Sequence, residues 1–471
     1  MKPLRESLLD SSRRIYLAGI GGVGMSALAK VLRHRGFEIA GSDRSESRSV
    51  RELRELGIPV SVGQNESFVE DRDLLVYSSA IQPDNPEMVR ARAKKIPIIH
   101  RAEALASLLN LAETSIAVTG THGKTTTTGM ISFVLSETGK HPTCLVGGDV
   151  VNLGSNTILG GNEFFVSEVD ESDGSQEYYT PHYTVLTNLE EDHLDHYADL
   201  EDLKRSMARF LSNLGNPGLV VYSIEDPVLR ELVPASGKPH LSFGLTSQAD
   251  VYAENIRLEG FHSEFDLFQE GFFASRVLLS VPGIHNVMNA LGAIAVLLEI
   301  GLDLDEILEA LFRFRGARRR LEVKLDMDHL IVIDDYAHHP AEVAASLRAL
   351  GRLGRPLTVV FQPHRFSRTR YLGRQFGQAF KEAHELILTE IYSAGEKNPD
   401  NITSELIYNS VREAKQPEVK MIPKQEVIDY LLSRQWSQGI IAFLGAGDIG
   451  EVADEFARRI KTIRSQNPAA V

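Results

Sequence analysis

Short apolar runs recur along the chain, and most end in glycine or a polar cluster followed by a stretch of helical period. Residues 15–18 read as a strand. Gly19, Gly21 and Gly24 follow in a GxGxxG turn, and 25–34 reads as a helix. Residues 37–40 form a second strand, ended by Gly41-Ser42-Asp43. Strands at 74–77 and 96–99 end at Ser78-Ser79-Ala80 and at His100. The run 116–119 leads into a Gly-rich turn and a helix through 131–137, which Gly139 ends. Strands at 162–167 and 183–187 end in EVDESDG and NLEEDHLDHY. Residues 212–280 change character: short alternating segments predict strands and hairpins inserted at one side. Helices follow at 289–298 and 304–312, then GARRRLE. The last third alternates again. Strands at 329–333, 357–361, 386–389 and 439–444 end in DDYAHHP, QPHRFSRTR, EIYSAGE and GAGDIG, and Pro340 starts a helix.

This alternation predicts an α/β fold with parallel sheets. The chain, at 471 residues, is too long for one core. Boundaries are placed at 1–110, 111–320 and 321–471. Polar groups past strand ends are where open α/β sheets bind ligands. Three sets of them point to one site closed between domains.

The most demanding chemistry sits at SIAVTGTHGKTTTT, residues 115–128. A strand, a Gly-rich turn and a helix start surround a phosphate with backbone N–H groups. Lys124 can reach a terminal phosphate, and Thr125 can place its hydroxyl on a magnesium ion. The usual first glycine of such a loop is Val118 here, and Gly120 sits in the turn instead, so the loop is a shortened variant. The reading is an ATP or GTP site. The GxGxxG turn, with Asp43 near the end of the second strand, suits a nucleotide diphosphate without saying which. Glu168, Asp170, Glu171 and Asp173 after one strand, and the acidic NLEED run after the next, suit magnesium and substrate positioning. His193 and His196 alone do not make a zinc site. Arg318, Arg319 and Arg320 read equally as a solvated linker or as phosphate ligands.

Composition narrows the partners. The net charge is −14, and no basic patch stands out, so a nucleic-acid partner is not expected. The single cysteine, Cys144, excludes an internal disulfide and fits a reducing compartment. The first residues lack an apolar core of signal-peptide length, and runs such as 290–298 are too short to span a bilayer. A cytoplasmic protein without membrane insertion is expected. The tail, 465–471, reads as frayed.

Together the strings GIGGVGMSALA, GTHGKTTT, EVDESDG, NLEEDHLDHY, GIHNVMNALGA, DDYAHHP, FQPHRFSRTR and GAGDIG resemble those of the Mur ligases of bacterial cell-wall synthesis, in the family's order from about residue 15 to 450. The resemblance implies a Rossmann-like N-terminal domain for a UDP-sugar, a P-loop ATPase-type central domain, and a Rossmann-like C-terminal domain for ATP and an amino acid. Its branch joins L-alanine to the lactyl carboxylate of UDP-N-acetylmuramate through an acyl phosphate, with ATP and Mg2+ (Mn2+ substituting), as a monomer or homodimer. Gly19, Gly21, Gly22 and Gly24 would hold the UDP diphosphate, with Asp43, Ser78, Ser79, His100 and Arg101 on the substrate side. Gly120, Thr121, His122, Gly123, Lys124, Thr125 and Thr126 would hold ATP, and Thr125, Glu168 and His193 the metal. His285, Asn286 and Asn289 match the family's nucleotide- and substrate-facing HNxxN segment. Asp335 and Tyr336 would lie near ribose and adenine. His338, Arg365 and Arg368 would lie near alanine and the acyl phosphate. Arg319 is the favoured phosphate-facing arginine of its run. Leu321 replaces the family's aromatic, and Glu390 stands where Asp is common; several sister ligases carry a carbamylated lysine after the DHLD segment, where Lys204 is the nearest downstream lysine, and that role is not carried over. A ligase taking a ready-made tripeptide, a folate polyglutamate synthase-like enzyme and a nucleotide switch are the rival readings.

Overall fold

The computed structural model describes residues 12–466 except 65, 173, 191–196, 198, 328, 416–417 and 435–437. Among them the chain is an α/β protein with three sheets. It divides into two compact units. One comprises the chain through Ile256 with Phe265–Leu278 and Asn286–Arg315; the other comprises Arg257–Glu264, Leu279–His285 and the chain from Gly316.

The first sheet holds β1 (Arg14–Ala18), β2 (Glu38–Asp43), β3 (Val60–Val62), β4 (Leu74–Tyr77) and β5 (Ile98–His100), ordered β3-β2-β1-β4-β5. All neighbouring pairs are parallel. The strand order reverses at β1, which opens a crevice past its end. β2 runs through Gly41-Ser42-Asp43 instead of stopping before them. Gly41 is there for space, because a Cβ would collide with the Leu17 carbonyl.

The second sheet holds β6 (Thr114–Thr119), β7 (Thr143–Val150), β8 (Ser155–Ile158), β9 (Phe164–Glu168), β10 (Tyr183–Leu186), β11 (Leu219–Ser223), β12 (His240–Gly244), β13 (Val251–Glu259), β14 (His262–Gln269) and β15 (Phe272–Leu279). Their order is β15-β14-β13-β12-β11-β10-β6-β9-β7-β8. β6 lies between β10 and β9, parallel to both, so the order reverses again at the end of β6. The segment predicted as strands and hairpins is in part a βαβ unit. β11 and β12 extend the parallel sheet, and helix Pro227–Ala235 joins them. Its signal was local: Asp226 accepts the N–H groups of Val228 and Leu229, and Pro227 sits where no N–H is needed.

One cluster of buried side chains runs from Leu28 and Leu105 by the first sheet to Phe165 and Leu186 of the second. That shared core is why both sheets fall in one unit. Truncating the fully buried Phe165 to Ala would cost roughly 3–5 kcal/mol.

The third sheet, in the second unit, holds β16 (Glu322–Asp326), β17 (Leu330–Asp335), β18 (Leu357–Phe361), β19 (Glu385–Leu388), β20 (Glu418–Met421) and β21 (Gly439–Leu444), ordered β16-β17-β21-β18-β19-β20. Only the β16–β17 pair is antiparallel. β17 extends two residues past its predicted end, which buries Asp334 and Asp335.

Candidate active site

Helix Val23–His34 begins at Gly22 with no side chain capping it, so its first N–H groups suit an anion. Gly19 has φ +78°, and the N–H groups of Gly19 and Ile20 both donate to the Ser42 carbonyl at 2.9 Å. Asp43 accepts the Gly21 N–H at 2.8 Å, so it braces the turn. A Cβ on Gly19 would meet the Ser78 hydroxyl, and one on Gly24 would meet the Arg101 guanidinium. The hydroxyl of Ser79 is hydrogen-bonded to His100 Nε2 at 2.9 Å. The predicted diphosphate residues therefore surround one turn. Sequence reasoning missed Glu87. It is 1% exposed, and it accepts the Tyr16 and Ser42 hydroxyls at 2.8 Å each, from two neighbouring strands under the turn.

The loop after β6 is built in the same way, with a charge added. Gly120 has φ +130°, and a Cβ there would collide with Thr187 and the Asn188 backbone. Gly123 has φ +84° and starts helix Lys124–Glu137. The end of β10 cradles the loop: Asn188 Oδ1 accepts the His122 N–H, and Thr187 Oγ1 donates to the His122 carbonyl. The Glu190 N–H donates to Thr121 Oγ1 at 2.9 Å. Lys124 Nζ donates to the carbonyls of Gly120 (2.5 Å) and Thr121 (3.2 Å) and to Glu171 Oε1 (3.0 Å). Burial alone would push the Lys124 ammonium down; the carboxylates of Glu171, Asp170 and Glu168 outweigh it and hold the group above its ordinary value. Thr125 donates its hydroxyl to Glu168 Oε2 at 2.9 Å, and the Gly147 N–H donates to the same oxygen at 2.8 Å. Burial raises the Glu168 carboxyl, against the pull of Lys124 and these two donors. Thr126 is buried at the helix start, and Thr127 donates to Asn289 Oδ1 at 3.2 Å. Asn289 in turn donates to Asn286. His193 lies outside the described residues. Among the described residues, no group of three or more His, Cys, Asp and Glu is placed to hold a metal ion.

In the second unit, residues after β17, β18 and β21 meet. Asp335 accepts the N–H groups of Leu321 and Ala337 at 2.7 Å each; burial raises its carboxyl, with Arg320 opposing. His338 Nδ1 lies 2.9 Å from the Tyr336 carbonyl, so it carries the proton and Nε2 keeps the lone pair. Burial, with Arg368 adding and Glu342 opposing, lowers His338 to about 4. Arg368 Nη1 donates to His364 Nδ1 at 3.0 Å, and burial with Arg368 lowers His364 to about 3. Sequence reasoning missed His364, which stacks on Tyr392 with ring centroids 5.6 Å apart. Arg365 has φ +69°, rare for a residue with a side chain, and its N–H donates to the Tyr392 carbonyl at 2.8 Å. His285 is lowered to about 4 by burial and by Arg320 and Arg348.

The arginine run divides its work. Arg318 is exposed. Arg319 is taken up by its own unit: Nε faces Asp334 at 3.3 Å, and Nη1 and Nη2 donate to the carbonyls of Gly447 (2.9 Å) and Gly445 (2.5 Å). Arg320 lies 3.7 Å from Glu342 and over the Tyr336 ring. Lys204 pairs with Glu201 on a helix surface. Among the described residues, no helix is long and apolar enough to cross a membrane.

Three family models match the chain in succession. The Mur ligase family catalytic domain matches residues 14–112, the Mur ligase middle domain 118–297, and the Mur ligase glutamate ligase domain 319–447. A UDP-N-acetylmuramate–L-alanine ligase of Pelotomaculum thermopropionicum is 40% identical over 456 residues, 96% of this chain and 99% of that protein. The crystal structure of a UDP-N-acetylmuramate–alanine ligase from Thermotoga maritima aligns with a TM-score of 0.82 at 32% identity, covering 95% of this chain and 99% of that one. A murein peptide ligase from Psychrobacter arcticus shares the fold, with a TM-score of 0.69 at 23% identity over 96% of this chain and 98% of that one. On this likeness along nearly its whole length, the chain belongs to the Mur ligase family.

Proposed function

We propose that the chain joins L-alanine to the lactyl carboxylate of UDP-N-acetylmuramate at the expense of ATP, as a cytoplasmic enzyme of cell-wall precursor synthesis. The observation that carries this reading is the loop at 120–125 set against the carboxylate-bearing end of β9, with Lys124 on Glu171 and Thr125 on Glu168. The sugar and the amino acid are taken from relatives that share 40% identity.

The lactyl carboxylate attacks the γ-phosphoryl group of ATP. Negative charge grows on the transferring oxygens, and Lys124 with the N–H groups at its helix start meets it. The bond from the γ-phosphorus to the bridging oxygen breaks, ADP leaves with its electrons, and an acyl phosphate remains. The neutral amine of alanine then attacks the acyl carbon, and phosphate leaves with the C–O bond electrons and takes up the proton that the nitrogen sheds. His338, neutral with its lone pair on Nε2, accepts a hydrogen bond from that amine. Arg365 and Arg368 hold the alanine carboxylate or the acyl phosphate, as planar forks do. Asp335 and Tyr336 lie on the nucleotide's ribose and adenine side. His285, Asn286 and Asn289 face nucleotide and substrate, Asn289 through Thr127 behind the loop. Arg319 acts through the loop after β21 that it braces. The turn at residues 19–24, with Asp43, Ser78, Ser79, His100 and Arg101, holds the UDP diphosphate. The functional domains divide at 110/111 and 320/321.

The hard oxygen donors of Thr125 and Glu168 fit magnesium, and a cation there would offset the burial that raises Glu168. With His193 they would hold the ion, which when bound neutralises phosphate charge.

The test is phosphate release from ATP with each substrate omitted in turn. Release is expected only with both UDP-N-acetylmuramate and L-alanine present, and mass spectrometry should find their amide. Hydrolysis that ignores either substrate, or faster turnover with a tripeptide than with alanine, would overturn the reading.

A further inference from the structure

We propose that Glu171 is the positioning residue of the phosphate loop: its buried carboxylate stays paired with Lys124 when ATP is bound and sets where the ammonium stands. The proposal rests on the reading of Lys124 as a phosphate partner.

An ammonium has three protons to give. Those of Lys124 go to the Gly120 carbonyl, the Thr121 carbonyl and Glu171 Oε1. A phosphate oxygen must therefore displace one of these acceptors. Two are neutral carbonyls of the loop's own backbone. The third is a charge with no exposed surface, beside a lysine side chain that is 13% exposed. Taking the lysine away from it would leave a buried carboxylate uncompensated, which is far more costly than losing a carbonyl. The carbonyls yield and Glu171 does not.

Glu171 is also held from behind. Its backbone carbonyl accepts the Tyr197 hydroxyl at 2.6 Å. Gln176 Nε2 donates to Tyr197 Oη at 3.2 Å and to Ser206 Oγ at 2.9 Å, on helix Leu200–Ser212. Gln176, Tyr197 and Ser206 are all buried. The backbone that carries the carboxylate is thus tied to a buried chain of hydrogen bonds anchored on a helix. Neighbouring Glu168 has a different task, because Thr125 and Gly147 occupy it. One acidic run therefore serves two ends: Glu168 faces the hydroxyl, and Glu171 faces the ammonium.

A fixed carboxylate near a triphosphate repels the ground state somewhat while aiming the ammonium at the transferring group. Its loss should appear in kcat and not as weaker ATP binding. The experiment uses the full chain and steady-state rates against ATP, with UDP-N-acetylmuramate and L-alanine saturating. Variants are Glu171→Gln, Glu171→Asp, Tyr197→Phe and, as a control, Lys124→Ala. Melting curves and calorimetry with ADP check the fold and the nucleotide site. Glu171→Gln should lose tenfold or more in kcat, with the KM for ATP unchanged or lower. Glu171→Asp keeps the charge but sits one methylene back, so it should recover only part of the loss. Tyr197→Phe should lose a few-fold in kcat at constant KM. A kcat within twofold of wild type for folded Glu171→Gln, or a raised KM alone, overturns the proposal. If Glu171→Gln does not fold, Tyr197→Phe decides in the same terms. Should Lys124→Ala keep more than a tenth of the rate, the reading of the loop fails instead.

Discussion

Gly123 and Arg365 both stand just before a helix that follows a parallel strand, and both have positive φ, +84° and +69°. The first is a glycine, for which that conformation costs little. The second has ψ +139°, a combination glycine nearly monopolises, and is held there by the Tyr392 carbonyl and by the bridge between His364 and Tyr392. The two regions differ in where their donors come from. Around Gly123 the donors are backbone N–H groups with one lysine balanced by a buried glutamate. Around Arg365 they are side chains, two guanidinium groups beside two neutral histidines. A backbone-built site can spend a glycine at its turn. A side-chain-built site keeps the arginine there and accepts the strain.

The largest effect should come from the one charge in the backbone-built loop. Lys124→Ala removes a partner of the transferring phosphoryl group and should lower turnover about 10²-fold or more, in a protein that folds but melts at a lower temperature because Glu171 is left buried without its cation. Purified variant retaining over a tenth of the wild-type rate would remove Lys124 from that role.

The same contrast explains what could be read from the chain. The loop at 120–125 is local, so consecutive residues announce it, down to Gly120 standing in for an absent first glycine. The turn at 19–24 was legible for the same reason. Glu171 was visible as part of an acidic run, but its pairing with Lys124 depends on β9 lying beside β6, which spacing does not reveal. His364 and Glu87 left still less trace. One depends on β18 pairing with β19, which brings Tyr392 to it, the other on a helix crossing β1 and β2. Strand ends were misjudged where polar residues stay in the sheet. Asp334 and Asp335 read as loop because carboxylates are seldom buried, yet here backbone N–H groups and Arg319 compensate them.

A pair of substitutions should give stability changes of opposite sign. Gly123→Ala puts a Cβ in left-handed backbone, 2.5 Å from Asn289 Oδ1, and should cost about 1–3 kcal/mol. Arg365→Gly releases strain of about 1–3 kcal/mol, less the added freedom of glycine in the unfolded chain, and should stabilise by about 1 kcal/mol. Both should lower turnover, since one distorts the loop and the other deletes a guanidinium. Denaturation midpoints decide it. An Arg365→Gly protein as destabilised as Gly123→Ala would mean that the strain is not stored there.

The smallest effect is the acid response, and it should separate the two regions by sign. His338 in the folded protein titrates at about 4 against an ordinary 6.5. Between those values the unfolded chain binds a proton that the folded chain refuses. Its contribution to stability is complete above pH 6.5 and is lost as pH falls toward 4. His364, lowered to about 3, acts in the same direction. Glu168, at the end of β9 beside the phosphate loop, is raised by burial, so the folded state takes its proton first and acidification favours folding there. Asp334, raised to about 6 chiefly by burial, also opposes the histidines within their own unit. Whole-protein acid stability mixes these signs, so the measurement must be a difference. His338→Phe removes one refused proton and leaves the carboxylates in place. Between pH 7 and 5.5 it should lose about 1 kcal/mol less stability than wild type. Ring resonances of His338 and His364 should remain those of neutral imidazole at pH 5.5. A variant that loses as much as wild type, with rings that titrate near 6.5, would show that the cluster is open to water and works with charged histidines.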